Sequence, residues 1–170
     1  IGAIIPWNFP LLLGARKIAA ALTVGNTVVI KPAEEASLST IALAKILAEA
    51  GLPPGALNVI TGYGEEAGAA LVSHPTVAKI SFTGGTETGK LVMRLAASTL
   101  KRVSLELGGK SPNIVFADSD VTVAAAAAVT AAFYNQGELC TAGSRLLVER
   151  SVHDQVLEIY DREIHHPASD

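Results

Sequence analysis

The sequence predicts an α/β protein in which a parallel β-sheet carries helices on both faces. Short runs rich in β-branched residues alternate with longer stretches of helical periodicity. Strand–helix–strand units of this length connect parallel neighbours in a sheet. Of the 170 residues, 49% are hydrophobic and 17% are charged, which excludes a mainly disordered chain and supplies a core.

The strands are predicted from short apolar runs bounded by glycine, proline or polar residues. Before residue 108 these runs are interpreted as apolar throughout, which suits strands buried on both faces of the sheet. The predicted strands are 1–5, 27–30, 57–60, 77–82, 102–107, 113–117 and 145–149.

The helices are predicted between these strands from their apolar periodicity. Gly51 ends the second helix, and Pro53 and Pro54 prevent it from restarting. The alanine run 124–128 predicts a helix packed closely on a neighbour, because alanine is the best helix former. The predicted helices are 11–24, 38–50, 65–73, 86–97, 121–134 and 152–164.

The succession of elements changes after Gly108 and Gly109. We therefore expect one domain over residues 1–107 and the beginning of a second over 108–170. The chain opens at Ile1, inside an apolar run, and a free terminus of that kind usually frays unless something holds it. We expect the chain to be an internal piece of a longer protein.

Charge and cysteine content exclude several classes of protein. The net charge of −3 argues against a nucleic-acid partner. The longest apolar stretch, Val121 to Phe133, is shorter than the roughly 20 residues that span a membrane. One cysteine forms no internal disulfide, and no secretory signal peptide is visible, so we expect a cytoplasmic protein. No metal site is predicted from the histidines, which are His74, His153, His165 and His166.

Polar residues and glycines gather where the predicted strands end. In doubly wound sheets, ligands bind beyond the carboxyl ends of the strands, so this clustering predicts a cofactor cleft. The segment from Gly84 to Gly89 joins a strand to a helix and suits a phosphate, although its glycine spacing is not G-x-G-x-x-G. Lys31 and Glu34 suit the hydroxyls of a ribose; the alternative is a solvated ion pair at a helix start.

Two rival motifs fail on inspection. Residues 109–111 resemble the end of a phosphate-binding P-loop, but Ser104 stands where that motif requires glycine. No serine lies in the G-x-S-x-G turn of an α/β-hydrolase, which argues against that kind of hydrolase.

Two side chains are candidates for covalent and acid–base chemistry. Cys140 follows the polar residues 135–138, and a thiolate there could act as a nucleophile; the alternative is an inert buried cysteine. Glu106 ends an apolar run, and a carboxylate in a drying cleft can serve as a general base. The alternative for Glu106 is a salt bridge at a strand end.

Five segments together resemble the aldehyde dehydrogenase superfamily, in its order and spacing, over nearly the whole chain. They are Pro6-Trp7-Asn8-Phe9-Pro10, Lys31-Pro32-Ala33-Glu34, Phe82-Thr83-Gly84-Gly85-Thr86, Leu105-Glu106-Leu107-Gly108-Gly109-Lys110-Ser111-Pro112 and Asn135-Gln136-Gly137-Glu138-Leu139-Cys140.

The resemblance implies oxidation of an aldehyde to a carboxylate with NAD, or with NADP as the alternative. Cys140 aligns with the nucleophile that forms a thiohemiacetal and then a thioester. Asn8 aligns with the residue whose amide stabilises the oxyanion, and Glu106 aligns with the base that activates water. Lys31 and Glu34 align with the residues that hold the adenosine ribose. Glu34 favours NAD, because a carboxylate accepts a hydrogen bond from a ribose 2′-hydroxyl and repels a 2′-phosphate.

The resemblance also implies a Rossmann-like cofactor domain over 1–107, the start of a catalytic domain over 108–170, and a homo-oligomeric parent protein. The implied cofactor-binding residues are Ile4, Ile5, Pro6, Trp7, Asn8, Lys31, Pro32, Glu34, Gly64, Gly68, Phe82, Thr83, Gly84, Gly85, Thr88, Leu107 and Gly108.

The chain departs from the family at three points. Leu139 is bulkier than the residue that usually precedes the cysteine, and Gly85 stands where many members have serine. The family's amino-terminal part, its later Glu-x-Phe element and its oligomer-building hairpin have no counterpart among these 170 residues. Two alternatives therefore stay open: a CoA-acylating aldehyde dehydrogenase, which generally lacks the base at Glu106, and a non-catalytic nucleotide-binding fragment.

Overall fold

The computed structural model describes residues 1–165. The chain divides into two compact units, the first over Ile1–Leu107 and the second beginning at Gly108.

The first unit contains a five-stranded sheet in which every pair of neighbouring strands is parallel. Its strands are β1 (Gly2–Ile4), β2 (Val28–Lys31), β3 (Leu57–Val59), β4 (Lys79–Gly84) and β5 (Arg102–Leu107). The strand order β3-β2-β1-β4-β5 reverses direction between β1 and β4. This arrangement confirms the predicted α/β fold and places a topological switch point at the carboxyl ends of β1 and β4.

Helices connect these strands, and the apolar side chains form two cores. The helices are α1 (Pro10–Thr23), α2 (Leu38–Glu49), α3 (Ala69–Ser73) and α4 (Thr86–Ala97). One core gathers Ile5, Ile18 and Ile30 with apolar residues of α1 and α2, and the other gathers Ile80 and Phe82 with apolar residues of α4. Successive side chains of a strand point to opposite faces, so Ile80 and Phe82 lie on one face of β4, and Ser81 lies on the other.

The predicted helix 65–73 does not begin as an α-helix. Gly64–Gly68 forms a π-helical turn, in which the amide of Gly68 donates to the carbonyl of Tyr63 at 3.3 Å, and α3 follows it. Single π-turns of this kind occur frequently at functional sites.

The prediction that every strand before residue 108 is buried on both faces is wrong for β5. Exposed Arg102, Ser104 and Glu106 alternate with half-buried Val103, Leu105 and Leu107. The cause is position, because β5 is the last strand of the sheet and only its α4 side packs on a core.

The second unit consists of a parallel pair of strands and two helices. They are β6 (Pro112–Val115), α5 (Val121–Phe133), β7 (Arg145–Val148) and α6 (His153–His165). The Asp120 side chain accepts hydrogen bonds from the amides of Thr122 and Val123 at 3.0 and 3.1 Å and so caps α5. The alanine run packs as predicted, since Ala125 and Ala128 are buried, and Ala125 contributes to a core with Val156 and Ile159.

Within residues 1–165, no helix is both long and apolar enough to cross a membrane. In the same residues, no cluster of three or more histidine, cysteine, aspartate or glutamate side chains could hold a metal ion. His166 lies outside the described residues.

Candidate functional site

A cavity of about 640 Å³ opens at the switch point of the first unit, and we call it the switch-point cavity. The carboxyl ends of β1, β2 and β4 and the residues that follow them line it, together with the π-helical turn and residues of α3 and α4. Thirteen of the residues that the sequence predicts for cofactor binding lie in its wall. They are Ile4, Ile5, Pro6, Trp7, Lys31, Glu34, Gly64, Gly68, Phe82, Thr83, Gly84, Gly85 and Thr88.

Lys31 and Glu34 form a charged pair on the wall of this cavity. The Lys31 side chain is 2% exposed, and its ammonium lies 3.2 Å from a Glu34 carboxylate oxygen and donates to the carbonyl of Pro32 at 2.9 Å. Burial alone would raise the pKa of Glu34, but hydrogen bonds from its own backbone amide and from Lys31 outweigh burial and hold that pKa below its usual range. The pair therefore presents an ionised hydrogen-bond acceptor to the cavity.

The part of the wall at the start of α4 is suited to a phosphate. Gly85 is the N-cap of α4, and no side chain makes a capping hydrogen bond there. The first amides of a helix bind anions well when no capping side chain occupies them. A Cβ atom on Gly84 would lie 2.6 Å from Cζ of Phe82, so only glycine leaves the Phe82 ring in its present place.

One buried polar atom in the wall lacks a protein partner. Thr83 is 7% exposed, and its hydroxyl makes no hydrogen bond to any of residues 1–165. A buried hydroxyl without a partner is costly, and a ligand that meets it recovers that cost. A carboxylate and helix amides around one cavity fit the ribose and phosphate groups of a dinucleotide.

Four residues predicted for the cofactor lie elsewhere. Asn8 lines a neighbouring cavity of about 510 Å³ with Phe9, Leu11 and Leu12. Pro32 lines a third, of about 220 Å³. Leu107 packs on the core beside α4, and Gly108 begins the second unit.

Seven further residues complete the wall of the switch-point cavity. None of them was predicted for cofactor binding, and only Ala33 belongs to one of the five matching segments. They are Ala33, Glu65, Ala69, Val72, Leu91, Val92 and Leu95. Most are small or apolar and lie on α3 and α4. Their helical spacing is also that of ordinary core residues, so the sequence could not single them out.

Glu106 lies on the other face of the sheet, in a groove of about 350 Å³ that we call the Glu106 groove. In the parallel ladder, Thr83 pairs with Glu106 and Ser81 pairs with Ser104. Since side chains alternate between faces, these four residues share one face, and all four line the groove. Thr83, at the end of β4, lines both this groove and the switch-point cavity.

Lys17, a residue that the sequence analysis missed, reaches into the Glu106 groove from α1. Its ammonium donates to the Ser81 hydroxyl at 2.8 Å. Burial lowers the pKa of Lys17 to about 8, the negative charge of Glu106 opposes this change, and the positive charges of Arg16 and Lys79 add to it. Lys17 and Ser81 are 64 positions apart, so no local motif joins them.

Cys140 belongs to the second unit and is exposed. The turn before it is left-handed at three successive residues, Asn135, Gln136 and Gly137, with φ of 49°, 61° and 79°. Two non-glycine residues in this conformation are uncommon, and such strain concentrates at functional sites. The amide of Glu138 closes the turn by donating to the carbonyl of Asn135 at 3.0 Å.

The chain is similar to curated aldehyde dehydrogenases. It is 58% identical over 158 residues to phenylacetaldehyde dehydrogenase from Pseudomonas fluorescens, an alignment that covers 93% of the chain and 32% of that protein. It is 57% identical over 155 residues to human retinal dehydrogenase 2, covering 91% of the chain and 30% of that protein. The chain therefore spans about a third of the length of these relatives.

A solved structure agrees with these similarities. Betaine aldehyde dehydrogenase from Staphylococcus aureus, in complex with NAD+, superimposes with a TM-score of 0.94 at 41% identity, over 97% of the chain and 33% of that structure. The sequence profile of the aldehyde dehydrogenase family matches residues 1–166. The chain belongs to the aldehyde dehydrogenase family.

Proposed function

We propose that this chain carries the cofactor site and the reactive residues of an enzyme that oxidises an aldehyde to a carboxylate with NAD. The observation that carries the proposal is the switch-point cavity, because its wall joins the Lys31–Glu34 pair to the uncapped start of α4. Similarity to a relative that was solved in complex with NAD+ supports the choice of cofactor.

In this proposal, each wall of the switch-point cavity holds one part of NAD. Glu34 accepts hydrogen bonds from the adenosine ribose hydroxyls, and Lys31 fixes the Glu34 carboxylate. The first amides of α4 hold the pyrophosphate. When bound, the nicotinamide supplies the acceptor for the hydride that leaves the aldehyde carbon.

The proposed nucleophile is Cys140. Its thiolate attacks the carbonyl carbon, a sulfur–carbon bond forms, and the electron pair of the carbonyl double bond moves to oxygen. The side-chain amide of Asn8 donates a hydrogen bond to this oxyanion, an interaction typically worth about 2.7–4 kcal/mol. Loss of hydride from the same carbon restores the carbonyl and leaves a thioester on Cys140.

Glu106 is the proposed general base for hydrolysis of that thioester. Its carboxylate accepts one proton from a water molecule, and the water oxygen attacks the thioester carbon. The carbon–sulfur bond then breaks, the thiolate of Cys140 returns, and the product leaves as a carboxylate after losing its acid proton to solvent. Asn8 and Glu106 belong to the first unit and Cys140 to the second, so their convergence on one carbonyl is part of the proposal.

Two variants test the assignment in a protein of the relatives' length that contains this chain, which we call the full-length protein. Cys140→Ala should abolish both the first burst of NADH and steady turnover, because no thioester forms. Glu106→Gln should keep the burst and slow the steady rate by roughly 100-fold or more, because only hydrolysis loses its base. Stopped-flow absorbance of NADH separates the two phases.

Glu149→Gln is the matched control for Glu106→Gln, since Glu149 lies in the second unit and bonds Ala117 and Ser151. Turnover that survives Cys140→Ala would rule out the nucleophile, and an unchanged steady rate in Glu106→Gln would rule out the base. An assay with added CoA tests the alternative. Formation of an acyl-CoA product would show that the thioester is transferred to CoA and not hydrolysed, as in a CoA-acylating aldehyde dehydrogenase.

A further inference from the structure

The Glu106 groove contains a polar contact that the proposed reaction does not yet use. Ser81 lies two residues before Thr83 on β4, and Thr83 pairs with Glu106 across the ladder. Neighbouring strands lie about 4.8 Å apart and residues two apart about 6.6 Å, so the Cα atoms of Ser81 and Glu106 are diagonal neighbours at about 8 Å. Both side chains point to the face that α1 approaches.

The ammonium of Lys17 enters this groove against unfavourable charge. Arg16 on α1 and Lys79 on β4 line the same groove, and among the groove residues only Glu106 is negative. Burial also removes water from the ammonium. Ser81 supplies a fixed oxygen at 2.8 Å that compensates for part of this lost hydration.

We propose that Ser81 is a positioning residue, whose hydroxyl holds the Lys17 ammonium on the groove wall beside the Glu106 carboxylate. The part of this proposal that concerns Glu106 rests on the proposed function, in which Glu106 is the general base. With the ammonium held there, a positive charge stays in the groove that the Glu106 carboxylate lines, where the proposed base takes its proton from water. Without the hydroxyl, the buried ammonium loses the acceptor that stabilises its charged form.

The first measurement tests the hydrogen bond between Lys17 and Ser81 and does not depend on enzyme activity. The full-length protein is labelled with limiting acetic anhydride over a range of pH, and peptide mass spectrometry measures acetylation of Lys17 relative to the other lysines. Only a neutral amine reacts, so labelling follows the titration of Lys17. Ser81→Ala should increase labelling of Lys17 at neutral pH about fivefold and move its midpoint to lower pH, because a hydrogen bond to the charged form is lost.

A rescue variant and a control variant accompany Ser81→Ala. Ser81→Thr keeps a hydroxyl at the same position. The extent of Lys17 acetylation and its midpoint pH should therefore match those of the wild-type protein. Ser98→Ala is the matched control, since the Ser98 hydroxyl bonds only the carbonyl of Leu95 at the end of α4. Equal labelling of Lys17 in wild type and Ser81→Ala, or a Ser81→Thr protein that behaves like Ser81→Ala, would overturn the proposed contact.

The second measurement connects the contact to the base. In Ser81→Ala, the steady-state rate at neutral pH should fall, because more of Lys17 is neutral there, while the burst of NADH stays unchanged and Ser81→Thr restores the rate. A steady-state rate that is unchanged in Ser81→Ala would overturn the link to Glu106. Absence of any burst in the wild-type protein would refute the proposed function instead, and the labelling result would still decide whether Ser81 holds Lys17.

Discussion

The charges of one carboxylate, Glu106, and of two cations, Arg16 and Lys79, act on Lys17. Its pKa of about 8 lies below the ordinary lysine value of 10.5, so between these values the unfolded chain binds a proton that the folded chain has released. Stability therefore rises with pH across this window. We expect the unfolding temperature of the full-length protein to rise more from pH 8 to pH 10 in wild type than in Lys17→Met.

Lys45→Met is the control for this measurement, because Lys45 is exposed on α2 and outside the groove. Differential scanning fluorimetry at a series of pH values compares the three proteins. If Lys17→Met and wild type changed in parallel across the window, the proton would not be released by Lys17.

Glu34 determines the choice between NAD and NADP in the proposed function. Its carboxylate is held ionised beside Lys31 and faces the switch-point cavity. We expect Glu34→Gln to weaken NAD binding about tenfold and to strengthen NADP binding, because the acceptor for the 2′-hydroxyl and the repulsion of a 2′-phosphate are both reduced.

Isothermal titration of the full-length protein with each nucleotide measures the change. Glu35→Gln, one residue later and exposed, provides the comparison and should leave both affinities as they are. An unchanged preference for NAD in Glu34→Gln would show that another group reads the 2′ position.

Residues with a distinctive local setting could be predicted, and those defined by a distant partner could not. Gly84, Gly85 and the Lys31–Glu34 pair lie at or just after the end of a strand, so their place at the sheet edge was visible in the sequence. In the sequence, Lys17 cannot be distinguished from any other polar residue of an amphipathic helix. Its role depends on Ser81, which reaches the same face only through the parallel ladder.

Among the helices and strands, the bounds were predicted most accurately where glycine pairs separate one element from the next. Helix α4 and strand β5 have the predicted bounds, because glycine pairs end β4 and follow β5. The π-helical turn was missed because i to i+5 bonding leaves no pattern distinct from an α-helix start. The exposed face of β5 was visible in the alternation of Arg102, Ser104 and Glu106, but its cause, an edge position, is a property of the whole sheet.

Helix α5 depends on one capping side chain. Its first turn has no acidic residue, and Asp120 alone accepts hydrogen bonds from the amides of Thr122 and Val123. We expect Asp120→Ala to lower the free energy of opening of α5 by about 1 kcal/mol.

Amide hydrogen exchange of the full-length protein, read over 121–133, measures this loss. Asp118→Ala, two residues before the cap, is the control and should leave exchange in α5 unchanged. If Asp120→Ala left the protection of α5 intact, packing on α6 rather than the cap would determine its stability.

On the scale of the whole molecule, both units display large apolar side chains to solvent. Leu12 and Leu38 are 56% and 80% exposed in the first unit, and Phe116 is 61% exposed in the second. Leu12 also lines the cavity of about 510 Å³ that contains Asn8, and the wall of that cavity is almost entirely apolar. Exposed apolar side chains favour association with another surface when they lie together.

We therefore expect the isolated 170-residue chain to self-associate, with a mass that grows over a hundredfold range of concentration. Light scattering coupled to size-exclusion chromatography measures that mass. A double variant, Leu12→Gln with Leu38→Gln, should shift association to higher concentration, because it removes two exposed apolar groups without touching either core. Thr23→Gln, a polar exchange at the far end of α1, should leave association unchanged. A chain that stayed monomeric throughout would show that these apolar side chains are tolerated in water, and the same surface could then not be assigned to association.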